Sequence, residues 1–194
     1  MVLLVGLPLA LQAAITPVVE YTSSDIWTDN RPFTIGYSFT TTVPFDIVAL
    51  GSYYDGLGYT HDVGIWDSNG NLLVSTTVLT SDPVIQHFQY DPVSYSLAPG
   101  TYVIGAQMYE GGTSAPFPFA PLGVTSLPGY TWNTDCQVIG GGLNFPTQCG
   151  INYGQNGIFY ADFAVNGTPE PSTLLLLGTG MLGMLGAFRR KIGF

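Results

Sequence analysis

Pro32-Phe33-Thr34-Ile35-Gly36-Tyr37-Ser38-Phe39-Thr40-Thr41-Thr42-Val43-Pro44-Phe45 sets Phe33, Ile35, Tyr37 and Phe39 at alternate positions, with Thr34, Gly36, Ser38 and Thr40 between them. That period puts every apolar side chain on one face of an extended chain, as a half-buried strand requires. After Pro44 the pattern resumes with Phe45, Ile47, Ala49, Gly51 and Tyr53. Val63 to Trp66 and Leu72 to Leu79 read as two more strands, joined by Asp67-Ser68-Asn69-Gly70-Asn71. Asn-Gly tolerates positive φ at both residues and so favours a tight hairpin. Val84 to Tyr90 reads as a further strand, Ala98-Pro99-Gly100 turns into Thr101 to Tyr109, and Phe159 to Val165 closes the series. No window before Leu174 carries a capped helical stripe. The expectation is an all-β chain, an antiparallel β-sandwich of jelly-roll type.

Both ends of the chain depart from this pattern. The last residues run Pro169-Glu170-Pro171, Ser172-Thr173, an apolar stretch from Leu174 to Phe188, then Arg189-Arg190-Lys191. Three of the four basic residues of the protein sit in that final cluster. A charge-free apolar run closed by Arg and Lys is a membrane-stop signal with the basic end on the cytoplasmic side. Residues 172–188 just reach the roughly 17 residues at the lower limit for a spanning helix. Gly178, Gly180, Gly183 and Gly186 argue against a helix in a soluble core, where each costs about 1 kcal/mol relative to Ala, and Gly is better tolerated in membrane spans. Physics alone specifies a short C-terminal anchor.

The three parts in this order resemble the PEP-CTERM sorting signal of Gram-negative bacteria, which an exosortase processes during export. The resemblance covers residues 169–194 and implies an address and a processing partner, not an activity. At the other end, Met1 to Ala14 (MVLLVGLPLALQAA) is apolar and finishes in small residues, as a secretory signal peptide does. No Lys or Arg precedes its apolar part, and a start codon placed too far downstream is the simplest explanation. Cleavage is expected after Ala13 or Ala14.

Between the two signals, residues 15–168 have a length that suits one domain with its own core. They hold twelve of the thirteen acidic residues and one basic residue, Arg31, which leaves a formal charge of −11. Nucleic acid is excluded as a partner, because phosphate recognition needs clustered Lys and Arg. Cys136 and Cys149 both fall in the exported part, where a pair is most simply a disulfide. It would close the Gly-rich stretch VIGGGLNFPTQ, which shows little else to hold it, and would contribute about 3 kcal/mol. Without a nearby His or second Cys pair they make an incomplete zinc site.

The stretch from Phe33 to about Tyr109 also resembles a β-sandwich domain recurrent among PEP-CTERM proteins and related to an uncharacterised bacterial extracellular family. PFTIGYSFTTTVPF, DGLGYTHDVGIWDSNGNLLVSTTV and SLAPGTYVIGAQM carry the likeness. It implies a fold and an exported setting, and it brings no activity to transfer.

Chemistry is sparse in the body. Asp55, His61 and Asp62 form a conceivable oxygen-and-nitrogen ligand set, against the simpler alternative of a turn in which Asp55-Gly56 bends the chain and His61 bonds to backbone. We take the turn, and expect no metal or other cofactor. His87 reads as a sheet-surface residue. Asp67 to Asn71 fails as a calcium loop, since the positions that should be Gly and Glu are Leu72 and Val78. No Gly-x-Ser-x-Gly, His-Glu-x-x-His, phosphate loop or dinucleotide fingerprint occurs. Only Glu20 and Glu110 lie outside the sorting motif, which leaves little for a glycosidase.

Trp27, Tyr53, Tyr54, Tyr59, Trp66, Tyr109, Tyr130 and Trp132 read as strand ends or turns, where flat amphipathic rings suit sugar stacking. Tyr53, Tyr54, Asp55, Asp62 and Trp66 are the candidate glycan contacts. The sequence therefore favours a non-enzymatic, exosortase-processed surface or matrix protein. It would be anchored transiently by its C-terminal helix, then released to the cell surface or exterior in association with exopolysaccharide. A carbohydrate-binding module with a defined ligand is the alternative, and a secreted hydrolase the third.

Overall fold

In the computed structural model the described residues are 14–108, 115–151 and 157–167. They contain no helix, and hence none long and apolar enough to cross a membrane. The span expected over residues 172–188, the sorting motif Pro169-Glu170-Pro171, the basic cluster Arg189-Arg190-Lys191 and all but the last residue of the signal peptide expected over 1–14 lie outside the described residues, as do Tyr109 and Glu110.

The fold is all-β and antiparallel. Its strands are β1 (Ile15–Pro17), β2 (Val19–Glu20), β3 (Ser23–Asp29), β4 (Phe33–Thr41), β5 (Phe45–Tyr53), β6 (His61–Asp67), β7 (Leu72–Val78), β8 (Val84–Ile85), β9 (Phe88–Leu97), β10 (Gly100–Gln107), β11 (Ala115–Leu122), β12 (Thr125–Ser126), β13 (Tyr130–Ile139), β14 (Gln148–Ile151) and β15 (Ala161–Asn166). One sheet has five strands in the order β1-β15-β5-β9-β8, and another has six in the order β14-β13-β4-β10-β6-β7. Two ribbons, β11-β3 and β12-β2, complete the set.

The quoted stretch forms β4, central in the six-stranded sheet and paired with β10 and β13. Phe33, Ile35, Tyr37 and Phe39 are all buried in one apolar core cluster, as their alternation requires. Their rings meet residues of the other sheet and the segment leading into it. Tyr37 lies edge-on to Phe159 at 5.1 Å, and Phe39 lies 5.5 Å from Phe163 of β15. Each such ring contributes on the order of 1.5–3 kcal/mol through removal from water.

The Asn-Gly hairpin forms where expected. Gly70 takes φ 83°, and Asp67 Oδ1 accepts the backbone N–H groups of Asn69 and Asn71, both at 2.9 Å. The Asn71 side-chain amide, which donates to Oδ2 at 2.8 Å, leads these bonds in holding the Asp67 carboxyl below its usual range. The strand expected from Val84 to Tyr90 is divided instead. Gln86 takes φ 55°, and the chain reverses there, so that β8 pairs back onto β9 through Ile85 and Phe88. His87 thus sits in a turn, not on a sheet surface. Its Nε2 lies 3.0 Å from the Tyr21 carbonyl oxygen, and its ring stacks on Tyr21 at 4.2 Å.

In the five-stranded sheet, Asp162, Gly51 and Tyr90 stand opposite one another on adjacent strands and so share a face. A Cβ on Gly51 would lie 2.6 Å from the Tyr90 ring. The missing side chain lets that ring cross the middle strand and donate its hydroxyl to Asp162 Oδ2 at 2.6 Å. Asp162 is fully buried, and burial pushes its carboxyl well above the usual range despite the bond from Tyr90.

The folded state therefore keeps a proton on Asp162 at pH values where the unfolded chain, with an ordinary carboxyl near pH 4, has released it. The contribution of Asp162 to stability is fullest below that pH and declines as pH rises above it, because at this group the folded state binds more protons. Asp162→Asn, which keeps an acceptor for Tyr90, is expected to flatten this decline between pH 4 and 8. Denaturant midpoints measured across that range for both proteins check it, and parallel pH profiles would refute it.

Candidate functional site

Three regions hold the residues of functional interest: the segment from Tyr53 to Trp66, the loop closed by the cysteines, and a cleft beside Trp27.

The first does not form one surface. Tyr53 ends β5 half-buried, with its ring 6.2 Å from Tyr160. Tyr54 is 50% exposed. Asp55 turns the chain through Oδ1, which accepts the Leu57 N–H at 2.8 Å, while its Oδ2 lies 3.5 Å from His61 Nε2. His61 is buried, and its Nδ1 bonds to the Gln107 carbonyl oxygen at 2.9 Å. Burial raises the neighbouring Tyr160 hydroxyl well above its usual range, and the Asp55 charge adds to this.

His61, Val63 and Ile65 face the interior, so strand alternation turns Asp62, Gly64 and Trp66 to the other face of β6. There Asp62 Oδ1 accepts the Thr77 hydroxyl at 2.6 Å. Asp55, His61 and Asp62 therefore do not converge, and among the described residues no three His, Cys, Asp or Glu side chains form a metal-holding group. Trp66 is only 4% exposed, so its ring offers no stacking face to a glycan.

What covers Trp66 is the second region. Cys136 and Cys149 are opposite partners on β13 and β14 and are joined by a disulfide. The segment between these strands folds back over the outward face of the six-stranded sheet. Gly36, Gly105 and Gly64 stand opposite one another on β4, β10 and β6, making a trench across that face. Pro146 lies 3.1 Å from where a Gly105 Cβ would be, and Leu143 lies 3.1 Å from the Gly64 position. The buried Thr34 hydroxyl donates to the Gly142 carbonyl at 3.2 Å and accepts the Asn144 N–H at 2.9 Å. Phe145 then lies 6.1 Å from the Trp66 ring. The loop is thus held by packing and hydrogen bonds as well as by its disulfide, contrary to the expectation from its glycines.

The third region was not assembled in sequence. Trp27 lies within β3, not at a strand end, and pairs with Phe117 of β11. Its ring is 53% exposed yet fixed, edge-on to Phe119 at 5.3 Å and tilted to Phe117 at 6.3 Å. Asp29, two positions on, shares its face. Asp29 grips the Arg31 guanidinium, which donates from Nε to Oδ1 at 3.0 Å and to Oδ2 at 3.3 Å, and from Nη2 to Oδ2 at 2.7 Å. The bonds from Arg31 hold the Asp29 carboxyl below its usual range. The guanidinium lies 4.7 Å from the centre of the Phe33 ring. Trp27, Asp29, Arg31, Phe33 and Phe117, together with Ile35, Met108 and Gln137, line a cleft of about 130 Å³. The available signal was the period-two order Trp27, Asp29, Arg31, Phe33 running from one strand into the next.

Comparison with known families gives one finding. Residues 168–191 match the PEP-CTERM protein-sorting motif, so the chain carries the tail of an exosortase substrate, a protein sorted for export. No curated protein and no solved structure matches the chain.

Both cysteines should resist alkylation in native protein unless reductant is added. Gly105→Val, which drives a branched side chain into Pro146 and Thr34, should lower stability by about 1–3 kcal/mol through overpacking. Thiol labelling followed by denaturant titration of the variant measures both. Free labelling of unreduced protein, or an unchanged midpoint for the variant, would contradict the account of this loop.

Proposed function

We propose that this protein is a non-enzymatic cell-surface or extracellular-matrix protein whose acidic β-sandwich, of jelly-roll type, is delivered by exosortase processing of its tail. The match of residues 168–191 to the sorting motif carries the proposal. In it, the N-terminal apolar segment directs the chain across the inner membrane and is removed after Ala13 or Ala14. Residues 172–188 hold the chain in the membrane as a short helix, with Arg189, Arg190 and Lys191 on the cytoplasmic face, until exosortase acts at Pro169-Glu170-Pro171.

Two features support this order of events. A disulfide at Cys136–Cys149 suits an oxidising compartment. The strand ladder also ends cleanly beside the motif. Ile15 of β1 pairs with Asn166 of β15, so the last residue of the ladder precedes the matched segment. A formal charge of −11 on residues 15–168 disfavours direct adhesion to anionic lipid once the tail is gone. Association with exopolysaccharide then falls to the domain's own surface.

Replacing Pro169-Glu170-Pro171 by three alanines is expected to leave full-length protein in the inner membrane. Mass spectrometry of exported wild-type protein should find its C-terminus near the motif. Intact Phe194 on surface-exposed protein would rule processing out.

Topology gives a separate check, since carrying a cluster of Arg and Lys through hydrocarbon is costly. In the motif-blocked variant, a reporter active only in the periplasm should be silent when fused after Phe194. The same reporter fused after Gly167 should be active. The reverse pattern would overturn the membrane arrangement.

A further inference from the structure

We propose that the cleft beside Trp27 binds a single neutral pyranose ring of a glycan, stacked on the exposed indole face, with the Asp29–Arg31 pair at its rim. The inference rests on the reading of the domain as a polysaccharide-associated surface protein, and it names the place and the chemical class of contact.

Four observations converge on this occupant. The first is a large aromatic ring that is half exposed and yet rigid. Trp27 is 53% exposed, but Phe117 and Phe119 hold its orientation from below. A ring fixed in advance loses little freedom when a ligand settles on it, which favours binding. The second is size. A cleft of about 130 Å³ that opens to solvent can seat part of one sugar ring against the indole and leave the rest of a glycan outside, but it cannot enclose an extended chain.

The third is the distribution of polarity. Trp27, Phe117, Phe33 and Ile35 supply the apolar lining, whereas Asp29, Arg31 and Gln137 supply acceptors and donors. A pyranose has the same division, with apolar C–H faces and a rim of hydroxyl groups. An apolar protein side chain fits less well, because it would cover the Asp29–Arg31 pair and return no hydrogen bonds. The fourth is charge. Arg31 is the only basic residue of the domain, and Asp29 engages it at 2.7 Å. A uronic acid or a phosphorylated sugar would have to displace Asp29 and approach a domain of net charge −11. Neutral hexoses meet neither obstacle.

The test uses the exported protein as recovered from the cell surface, titrated with cellohexaose, mannohexaose and dextran, and with polygalacturonate as the acidic comparison. Tryptophan emission and calorimetry are the readouts. A saturable response to at least one neutral glycan is expected, with a dissociation constant on the order of a millimolar, and none to polygalacturonate at the same ionic strength. Trp27→Ala should weaken binding by about tenfold or more, whereas Trp27→Phe, which keeps a stacking ring, should restore most of it. Tyr54→Ala removes an exposed ring outside the cleft and should leave binding unchanged.

Melting curves of each variant separate lost binding from lost fold, and W27F serves where W27A is unstable. Neutral-glycan binding that survives W27A in folded protein, or that is lost in Y54A instead, overturns the cleft and leaves a polysaccharide-associated domain standing. Preference for polygalacturonate overturns the choice of ligand class. Silence toward all the neutral glycans overturns the cleft as well. Co-purification of the cell's own exopolysaccharide with wild-type protein then decides whether the broader association survives.

Discussion

Three glycines that stand abreast on neighbouring strands govern the outward face of the six-stranded sheet. Gly36, Gly105 and Gly64 occupy one transverse row, and a side chain at the first would strike the β10 backbone, 1.9 Å from the Ile104 carbonyl oxygen. The row is a trench that only backbone and a few small groups can fill. Pro146 and Leu143 fill it, Thr34 fastens the loop that brings them, and the Cys136–Cys149 bridge ties the ends of that loop to adjacent strands. Glycine usually weakens a strand. Here the weakness is local, and the covering loop converts an exposed face into a second packed layer.

The same device recurs in the five-stranded sheet with a different result. Gly51 leaves room for the Tyr90 ring to lie across it, which delivers a hydroxyl to a carboxyl on the strand beyond. A buried acid is tolerable there because it keeps its proton, and because the tyrosine gives it a partner it would otherwise lack. In both sheets, then, a missing side chain decides what a neighbouring large one can reach. The cleft beside Trp27 is connected to the first case. Gln137 belongs to β13, the strand that the disulfide joins to β14, so the lining of the cleft and the cover of the trench share a strand.

Alternation along Phe33 to Tyr53 and the Asn-Gly turn were legible because both signals are local. β11 was not. Its sequence Ala-Pro-Phe-Pro-Phe-Ala-Pro-Leu reads as a loop, since proline lacks the N–H that a ladder needs. It is a strand because it pairs on one side only, with β3, where a proline can direct its missing donor away from the partner. The division at Gln86 was hidden for the opposite reason: nothing in a run of Val, Ile, Gln and His announces a positive φ. The candidate surface from Tyr53 to Trp66 was assembled from nearness in sequence. Strand alternation and the covering loop separate its members, with Asp55 beside His61 and Trp66 beneath Phe145.

Sorting and folding are written in different parts of the chain, and the strand ladder shows how little they overlap. β15 is gripped on both sides, by β1 through Pro17 and Ile15 and by β5 through a register running from Ala161 to Val165. The paired residues end at Asn166, Gly167 still donates its N–H to the Ala14 carbonyl at 2.7 Å, and the match to the sorting motif starts at residue 168. A cut within the motif therefore breaks no rung of the described ladder. Because β1 is the edge strand beside β15, the corresponding boundary at the N-terminus leaves the same end of the same sheet. The tail can thus change without altering a paired strand, and the body can change without altering the matched motif.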